Sequence, residues 1–411
     1  MVYFDNAATT YPKPHSVIAA MSGAMIEYGA NPGRGGHRLS AKTSEAVYAA
    51  REKCAEFFGA EPENTVFMPN CTQALNTAIK GLLGSGSHIV CSDIEHNAVL
   101  RPIYSCTKDR GAACSFAQTY DDDERTAAEF ERLIRPKTAA VVCTAAGNVT
   151  GKILPVERIG EICRKRRICF IVDAAQGAGI LPLRLSDNIN IICAAGHKGL
   201  YGPMGTGLMV TDGKFRLKTL VEGGTGSASK ELAQPEFMPD RFESGTINTA
   251  GAISLGAGID FLNNKGREVI YNHEMQLCRR FFDEVKKIDG VRLYSDVFDS
   301  RFVPVIPFNI GDMSSEEVSA ALSAAGFCLR GQFFGGIADV PFNGQLLGPR
   351  GPCRYARHIH HPLHVPAAAG VFGHCLVVGH LGHGLLRRML QRLGVVGQVA
   401  KGQVRAFHES A

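Results

Sequence analysis

The sequence predicts an α/β protein, with a large domain on a mostly parallel, doubly wound sheet followed by a smaller α+β domain. Three observations predict it. Between residues 65 and 195 short apolar runs alternate with helically spaced segments. Those runs are near-continuously apolar, as in strands covered by helices on both faces. After residue 266 the pattern changes to helix, strand, strand, helix.

Taken in order, Tyr3 to Pro14 is an extended entry segment, because Pro12 and Pro14 disfavour a helix. Val17 to Tyr28 has helical spacing. Asn31 to His37 is a glycine-rich loop, after which Ser40 is the expected cap of a long helix through Phe58. Thr65 to Met68 is apolar and leads through Asn70-Cys-Thr-Gln-Ala-Leu-Asn76 into a helix ending near Gly81. Thr72 there offers a hydroxyl and free backbone N–H groups to a phosphate; a plain N-cap is the alternative. Strands are expected at His88–Ser92, Ala139–Thr144, Cys169–Asp173 and Ile189–Ala195, with helices at 124–135 and 156–166. Glu95-His96-Asn97, Gly147-Asn148, Asp173 to Gln176 and Gly196-His197-Lys198 fall at the carboxyl ends of these strands, where open α/β sheets bind ligands. Thr249 to Asn263 is the helix expected to join the two domains. Beyond it come a helix, strands at Val291–Tyr294 and Phe302–Asn309, and a helix capped at Ser314-Ser315 with Glu316 and Glu317 in its first turn. The expected divisions are an N-terminal segment 1–15 packing with the small domain, a large domain 16–250, a small domain 251–330 and a tail 331–411.

A net charge of +5 over 411 residues argues against a nucleic-acid partner. No stretch has the roughly 20 apolar residues of a membrane span, and Met-Val-Tyr-Phe-Asp does not read as a leader peptide. Thirteen cysteines, scattered without CxxC pairs and often inside apolar runs, suit reduced, buried thiols. These features set the expectation of a cytoplasmic enzyme.

Polar groups at the strand ends make a specific set. Lys198 at the mouth of a buried strand can become a nucleophilic amine for Schiff-base chemistry. Asp173 can hold a proton on a pyridine nitrogen, His96 can stack on a ring, and the Thr72 segment can hold a phosphate. Pyridoxal 5'-phosphate needs those parts.

With these residues in view, the sequence resembles the fold-type I pyridoxal phosphate enzymes of the class V aminotransferase group, and specifically the cysteine desulfurase family. The matching stretches are Tyr3-Phe-Asp-Asn-Ala-Ala-Thr-Thr10, Cys71-Thr-Gln-Ala-Leu-Asn76, Glu95-His-Asn97, Asn148-Val-Thr-Gly151, Asp173-Ala-Ala-Gln176, Gly196-His-Lys198 with Tyr201-Gly-Pro203, and Glu243-Ser-Gly-Thr-Ile-Asn248. They run in family order from residue 1 to about 330. The resemblance implies that Lys198 carries the cofactor and moves the substrate Cα proton, with His96 on the ring and as acid/base. It implies that Asp173 pairs with the pyridine nitrogen and Gln176 approaches the ring hydroxyl. Thr72, Gln73 and His197 would hold the phosphate, and Thr246 would reach the phosphate of the other subunit of a homodimer. Asn6 and Asn148 would meet the substrate. The implied reaction takes L-cysteine to alanine, with sulfur passed on as a persulfide to an acceptor protein. A class V aminotransferase or lyase acting on another amino acid, or an inactive cofactor-binding scaffold, is the alternative. Ala195 departs from the pattern, since many relatives carry a hydroxyl there.

The resemblance stops after Leu329-Arg330-Gly331, where the family has a loop cysteine and then a substrate-binding arginine. From Gln332 onward the acids are Asp339 and Glu409 and the lysine is Lys401, while eight of the fourteen histidines fall there. A shifted reading frame accounts for such a change: Gly336-Ile337-Ala338 can be encoded so that the shifted frame reads His-Cys. The alternative is a divergent tail. The His358–His364 cluster lacks the acid or cysteine framework of a metal site. Cys328 and Cys353 are the nearest cysteines, and Cys328 reads as a buried strand thiol.

Overall fold

The computed structural model describes residues 1–33, 36–299 and 301–331, and residues 332–333 and 371–374 as backbone. Its described residues divide into two compact units: residues 9–147 with 153–270, and residues 1–8 with 148–152 and the described residues from 271 onward.

In the first unit, helices α1 (His15–Glu27) and α2 (Arg38–Phe58) precede strand β2 (Thr65–Met68) and helix α3 (Cys71–Leu82). β3 (His88–Ser92), α4 (Asn97–Arg110), β4 (Ala113–Ala117), α5 (Asp123–Leu133), β5 (Thr138–Thr144), α6 (Val156–Arg166), β6 (Cys169–Asp173), β7 (Ile191–Ala195) and β8 (Gly207–Thr211) follow, then α7 (Thr249–Lys265). α7 packs on α1 and α2, so this unit runs past the 250 boundary expected from the sequence. Among the described residues β2–β8 form one sheet in the order β2-β8-β7-β6-β5-β3-β4. Strands β3 to β7 are parallel wherever they pair. β8 is antiparallel to both of its neighbours, β7 and β2. Every residue of β3, β6, β7 and β8 is buried, which explains their unbroken apolar character. β4 is the half-buried edge strand.

Two local expectations are corrected. The cap of α2 is His37, whose Nδ1 accepts the Ser40 N–H at 3.2 Å; Ser40 lies inside the first turn and its hydroxyl donates to Asn31 O at 2.8 Å. The segment Phe302–Asn309 is a regular strand only at its end, in β10 (Phe308–Ile310) against β9 (Val291–Leu293), while Phe302 makes an isolated antiparallel bridge to Lys152.

The second unit contains β1 (Val2–Tyr3), α8 (Arg267–Val285, from Tyr271), β9, β10, α9 (Ser315–Ala324), β11 (Phe327–Cys328), β12 (Arg330–Phe333) and β13 (Val371–His374). Ser314 and Glu317 close the expected capping box of α9. β1 pairs in parallel with β11, and Phe4 stacks on Phe327 at 6.1 Å inside a core with Phe281, Phe308 and Leu322. Burying Phe4, at roughly 1.5–3 kcal/mol for such a side chain, ties the N-terminal segment to this core. β12 pairs antiparallel with β13. The His358–His364 cluster, Cys353 and the codon-shifted segment at 336–338 lie outside the described residues.

Candidate active site

The strand order places the site. β4 lies on one side of β3, while β5, β6 and β7 extend on the other. The winding direction therefore reverses between β3 and β5, and a crevice opens at the carboxyl ends there. The chain leaves β3 through Glu95-His96, β5 through Thr144, β6 through Asp173 and β7 through Lys198.

Asp173, the last residue of β6, is 2% exposed. Its Oδ1 accepts the Ala175 N–H at 2.9 Å and faces the Cys71 thiol at 3.6 Å. The same thiol donates to the Cys193 carbonyl at 3.3 Å. Burial pushes the Cys71 thiol well above its ordinary range, with the Asp173 charge adding to the rise and the Lys198 charge opposing it. Lys198 and Asp173 thus act on one buried thiol, across neighbouring strands.

The turn bearing Lys198 is held by two sets of contacts. The His197 carbonyl accepts from Thr9 Oγ1 at 3.1 Å, Thr10 N at 3.1 Å and Lys13 Nζ at 2.8 Å, while Thr10 Oγ1 also reaches Lys198 O at 3.2 Å. Burial lowers the Lys13 ammonium to about 8. On the other side the turn after β6, which carries the buried Gln176, lies directly against it. A Cβ on Gly199 would sit 2.3 Å from Ala178 O, so only glycine permits that approach. Tyr201 completes the turn at φ +58°, a left-handed conformation uncommon for a side chain of its size and frequent at functional sites.

α3 starts at Cys71 with Asn70 as its cap, the Asn70 side chain accepting the Gln73 N–H at 2.8 Å. Thr72 is exposed at this helix start. The first residue of β8 abuts it: a Cβ on Gly207 would lie 2.5 Å from the Asn70 carbonyl carbon. His197 has a buried Nδ1 without a hydrogen-bond partner. Burial, then the Lys198 and Lys13 charges, lowers its ring to about 4, so it is neutral at neutral pH. His96 caps α4, its Nδ1 accepting the Ala98 N–H at 3.1 Å, which puts the neutral ring's proton on Nε2. The His96 side chain is exposed.

Thr246 is exposed on the turn 243–248, and none of these contacts reaches it. That turn is anchored by Glu243, whose carboxylate takes both ends of the Arg51 guanidinium at 2.6 and 2.8 Å and the Phe67 N–H at 2.6 Å. Asn6, 3% exposed, and Asn148 belong to the other compact unit. Sequence reasoning gave no role to Glu95, Lys13 or Arg51. Glu95 lay inside a quoted motif, and the pairing of Arg51 with Glu243 spans 192 residues, beyond any local pattern.

The residues fit pyridoxal phosphate. A buried acid ends the strand beside the lysine's strand, and an orphaned buried imidazole nitrogen waits beside that lysine. The fold is that of the fold-type I pyridoxal phosphate enzymes. Residues 2–345 match the aminotransferase class-V family, and the chain belongs to that family. It is 32% identical over 336 residues to a protein of Methanothermobacter thermautotrophicus named probable cysteine desulfurase, across 80% of this chain and 83% of that one. A Haloferax volcanii cysteine desulfurase is 29% identical over 80% of this chain and 79% of its own length. The apo structure of a cysteine desulfurase from Thermococcus onnurineus superposes with a TM-score of 0.78 at 25% identity, covering 95% of this chain and 93% of that one. The cysteine desulfurase CsdA of Escherichia coli, at TM-score 0.75 and 21% identity over 95% of this chain and 93% of that chain, shares the fold. Among the described residues no helix is long and apolar enough to cross a membrane and no group of His, Cys, Asp or Glu is placed to hold a metal.

Proposed function

We propose that this chain is a pyridoxal 5'-phosphate-dependent, cysteine desulfurase-like enzyme that takes L-cysteine to L-alanine in the cytoplasm as a homodimer. The observation that carries the reading is the buried Asp173 at the end of β6, beside the paired strand β7 whose exit bears Lys198. When bound, the cofactor supplies an electron sink for charge developing on the substrate. Lys198 holds the cofactor and moves the Cα proton. Asp173 keeps the ring nitrogen protonated, and Gln176 meets the ring hydroxyl. The exposed His96 would stack on the cofactor ring and would pass a proton to or from the substrate sulfur. Thr72, Gln73 and the His197 imidazole hold the phosphate, joined by Thr246 from the other subunit. Asn148 meets the substrate carboxylate, and Asn6 also contributes to substrate binding. A thiolate then takes the sulfur as a persulfide for an acceptor protein, and the carbon–sulfur bonding pair stays with carbon to give alanine. The loop cysteine and the arginine of the family pattern are missing after residue 331, and impaired turnover of cysteine is part of this proposal.

The test is the absorbance spectrum of the purified protein with pyridoxal phosphate, before and after L-cysteine, with alanine and sulfide assayed in parallel. A lysine-bound cofactor band that Lys198→Ala abolishes, together with alanine formation, is the expected result. A band with no alanine from cysteine refutes the desulfurase reading and favours a scaffold or another amino acid as substrate. Absence of the band in the wild-type protein refutes the cofactor site itself.

A further inference from the structure

Glu95 is an unusual residue to find where it is. It is 3% exposed, in the crevice between β3 and β5. Its Oε1 accepts the Ser92 hydroxyl at 2.5 Å, at the end of β3, and the Thr144 N–H at 2.7 Å, at the end of β5. Thr144 is the register partner of Asp173, and the next N–H, of Ala145, donates to the Asp173 carbonyl at 2.9 Å. One carboxyl oxygen therefore ties two strand exits together, one residue before His96 and one strand away from Asp173. The second oxygen, Oε2, is buried and unpartnered.

A bare carboxylate with a desolvated, unpaired oxygen would be costly, whereas the uncharged acid at the same place is far less so. Burial raises this carboxyl to about 8; the Ser92 hydrogen bond opposes the rise and the Asp173 charge adds to it. The other titratable groups that act on it or feel it are Cys91 on β3 and Cys143 on β5. Both thiols are pushed well above their ordinary range by burial first, so neither supplies a charge.

We propose that Glu95 is a positioning residue that works as an uncharged carboxylic acid, pinning the exits of β3 and β5 so that His96 and Asp173 keep their spacing around the cofactor ring. Its neutrality also leaves Asp173 as the negative charge of this crevice floor, free to pair with the ring nitrogen. This rests on the cofactor reading above and adds a residue to it.

The experiment compares wild-type protein with Glu95→Gln and Glu95→Ala, using pyridoxal phosphate itself as the probe. The readouts are cofactor affinity by absorbance titration, the visible circular dichroism of the bound cofactor, and the thermal midpoint of the cofactor-free protein against pH. Gln keeps an acceptor for Ser92 and Thr144 and carries no charge. It should retain affinity within about twofold and the wild-type dichroic band, whereas Ala should weaken binding by about tenfold and alter the band. The folded protein holds the Glu95 proton from its ordinary 4.5 up to about 8, so its contribution to stability is lost as pH rises across that window. The Gln protein should not share that loss. Gln as damaging as Ala would show that the charge is what matters and overturn the proposal. So would an Ala protein with unchanged affinity and dichroism. A wild-type protein that binds no cofactor overturns the cofactor reading as well, and is told apart by the absence of any band.

Discussion

The buried ion pair between Arg51 and Glu243 offers the sharpest energetic test of the large unit. Both side chains are 7% exposed, and the carboxylate accepts three close donors: two from the guanidinium and the Phe67 N–H of β2. Arg51 also donates to Thr65 O at 2.6 Å, and its guanidinium lies 4.6 Å from the centre of the Phe67 ring. Glu243→Ala removes one charge and leaves the other buried beside an unsatisfied N–H. Breaking such a pair costs about 3–5 kcal/mol, and the orphaned amide adds to the damage. Replacing both partners with apolar residues of similar bulk, Arg51→Met with Glu243→Leu, should cost less than the single change, because no buried charge is left behind. Urea denaturation of the cofactor-free proteins, followed by far-ultraviolet circular dichroism, measures both. A single variant that loses less than about 1 kcal/mol, the range of an exposed pair, would refute the reasoning. A double variant worse than the single would refute the argument that the stranded charge is the main cost.

Two further outcomes follow from the site. Gly207→Ala would put a methyl group 2.5–2.9 Å from backbone atoms of Asn70 and Cys71, which cannot swing aside as a side chain can. We expect a loss of about 1–3 kcal/mol in thermal or urea stability and weaker inorganic phosphate binding; wild-type values for both would show that β8 does not brace this helix start. His197 has its folded-state pKa lowered to about 4 from 6.5, by burial first and then by the Lys198 and Lys13 charges. An unfolded chain takes up that proton first, so stability present above 6.5 is lost as pH falls toward about 4. His88, lowered to about 4 by burial and then by Arg135, acts in the same direction. His197→Asn should therefore remove part of the acid sensitivity of the thermal midpoint and not all of it. An unchanged slope between wild type and variant would show that the imidazole is not held neutral.

The parallel core was legible because strands covered on both faces announce themselves as unbroken apolar runs: His88–Ser92, Cys169–Asp173 and the segment ending at Ala195 each appear as read, within two residues. β4 and β8 were not legible. Ala113–Ala117 is a half-buried edge strand with mixed chemistry, and Gly207–Thr211 follows a loop broken by Gly202, Pro203 and Gly205. The five residues from Gly207 acquire strand character from pairing on both sides with β7 and β2, a tertiary cause. The site divides the same way. Lys198, Asp173 and His96 stand at strand exits, which periodicity can locate. The Thr9–Lys13 clasp on the His197 carbonyl and the burial of Glu95 depend on segments distant in sequence. His37 takes the cap of α2 because its imidazole nitrogen accepts the N–H three residues on, that of Ser40, as a capping hydroxyl at position 37 would.

The cysteines show how burial decides chemistry within one crevice. Cys71, Cys91, Cys143 and Cys193 surround the strand exits, and each has its thiol pushed well above the ordinary range, burial being the first cause. Only the thiolate attacks sulfur, so proximity to Asp173 does not make Cys71 a sulfur carrier. The thiol lies between Asp173 Oδ1 and the Cys193 carbonyl, and the neighbouring carboxylate discourages loss of its proton. Cys328, read from the sequence as a buried strand thiol, is half-buried in β11 and belongs to the other compact unit. Cys353 and Cys375 lie outside the described residues. Burial therefore keeps the sulfur atoms of this crevice protonated. A persulfide, if this chain carries one, must form on a thiol that burial has not silenced.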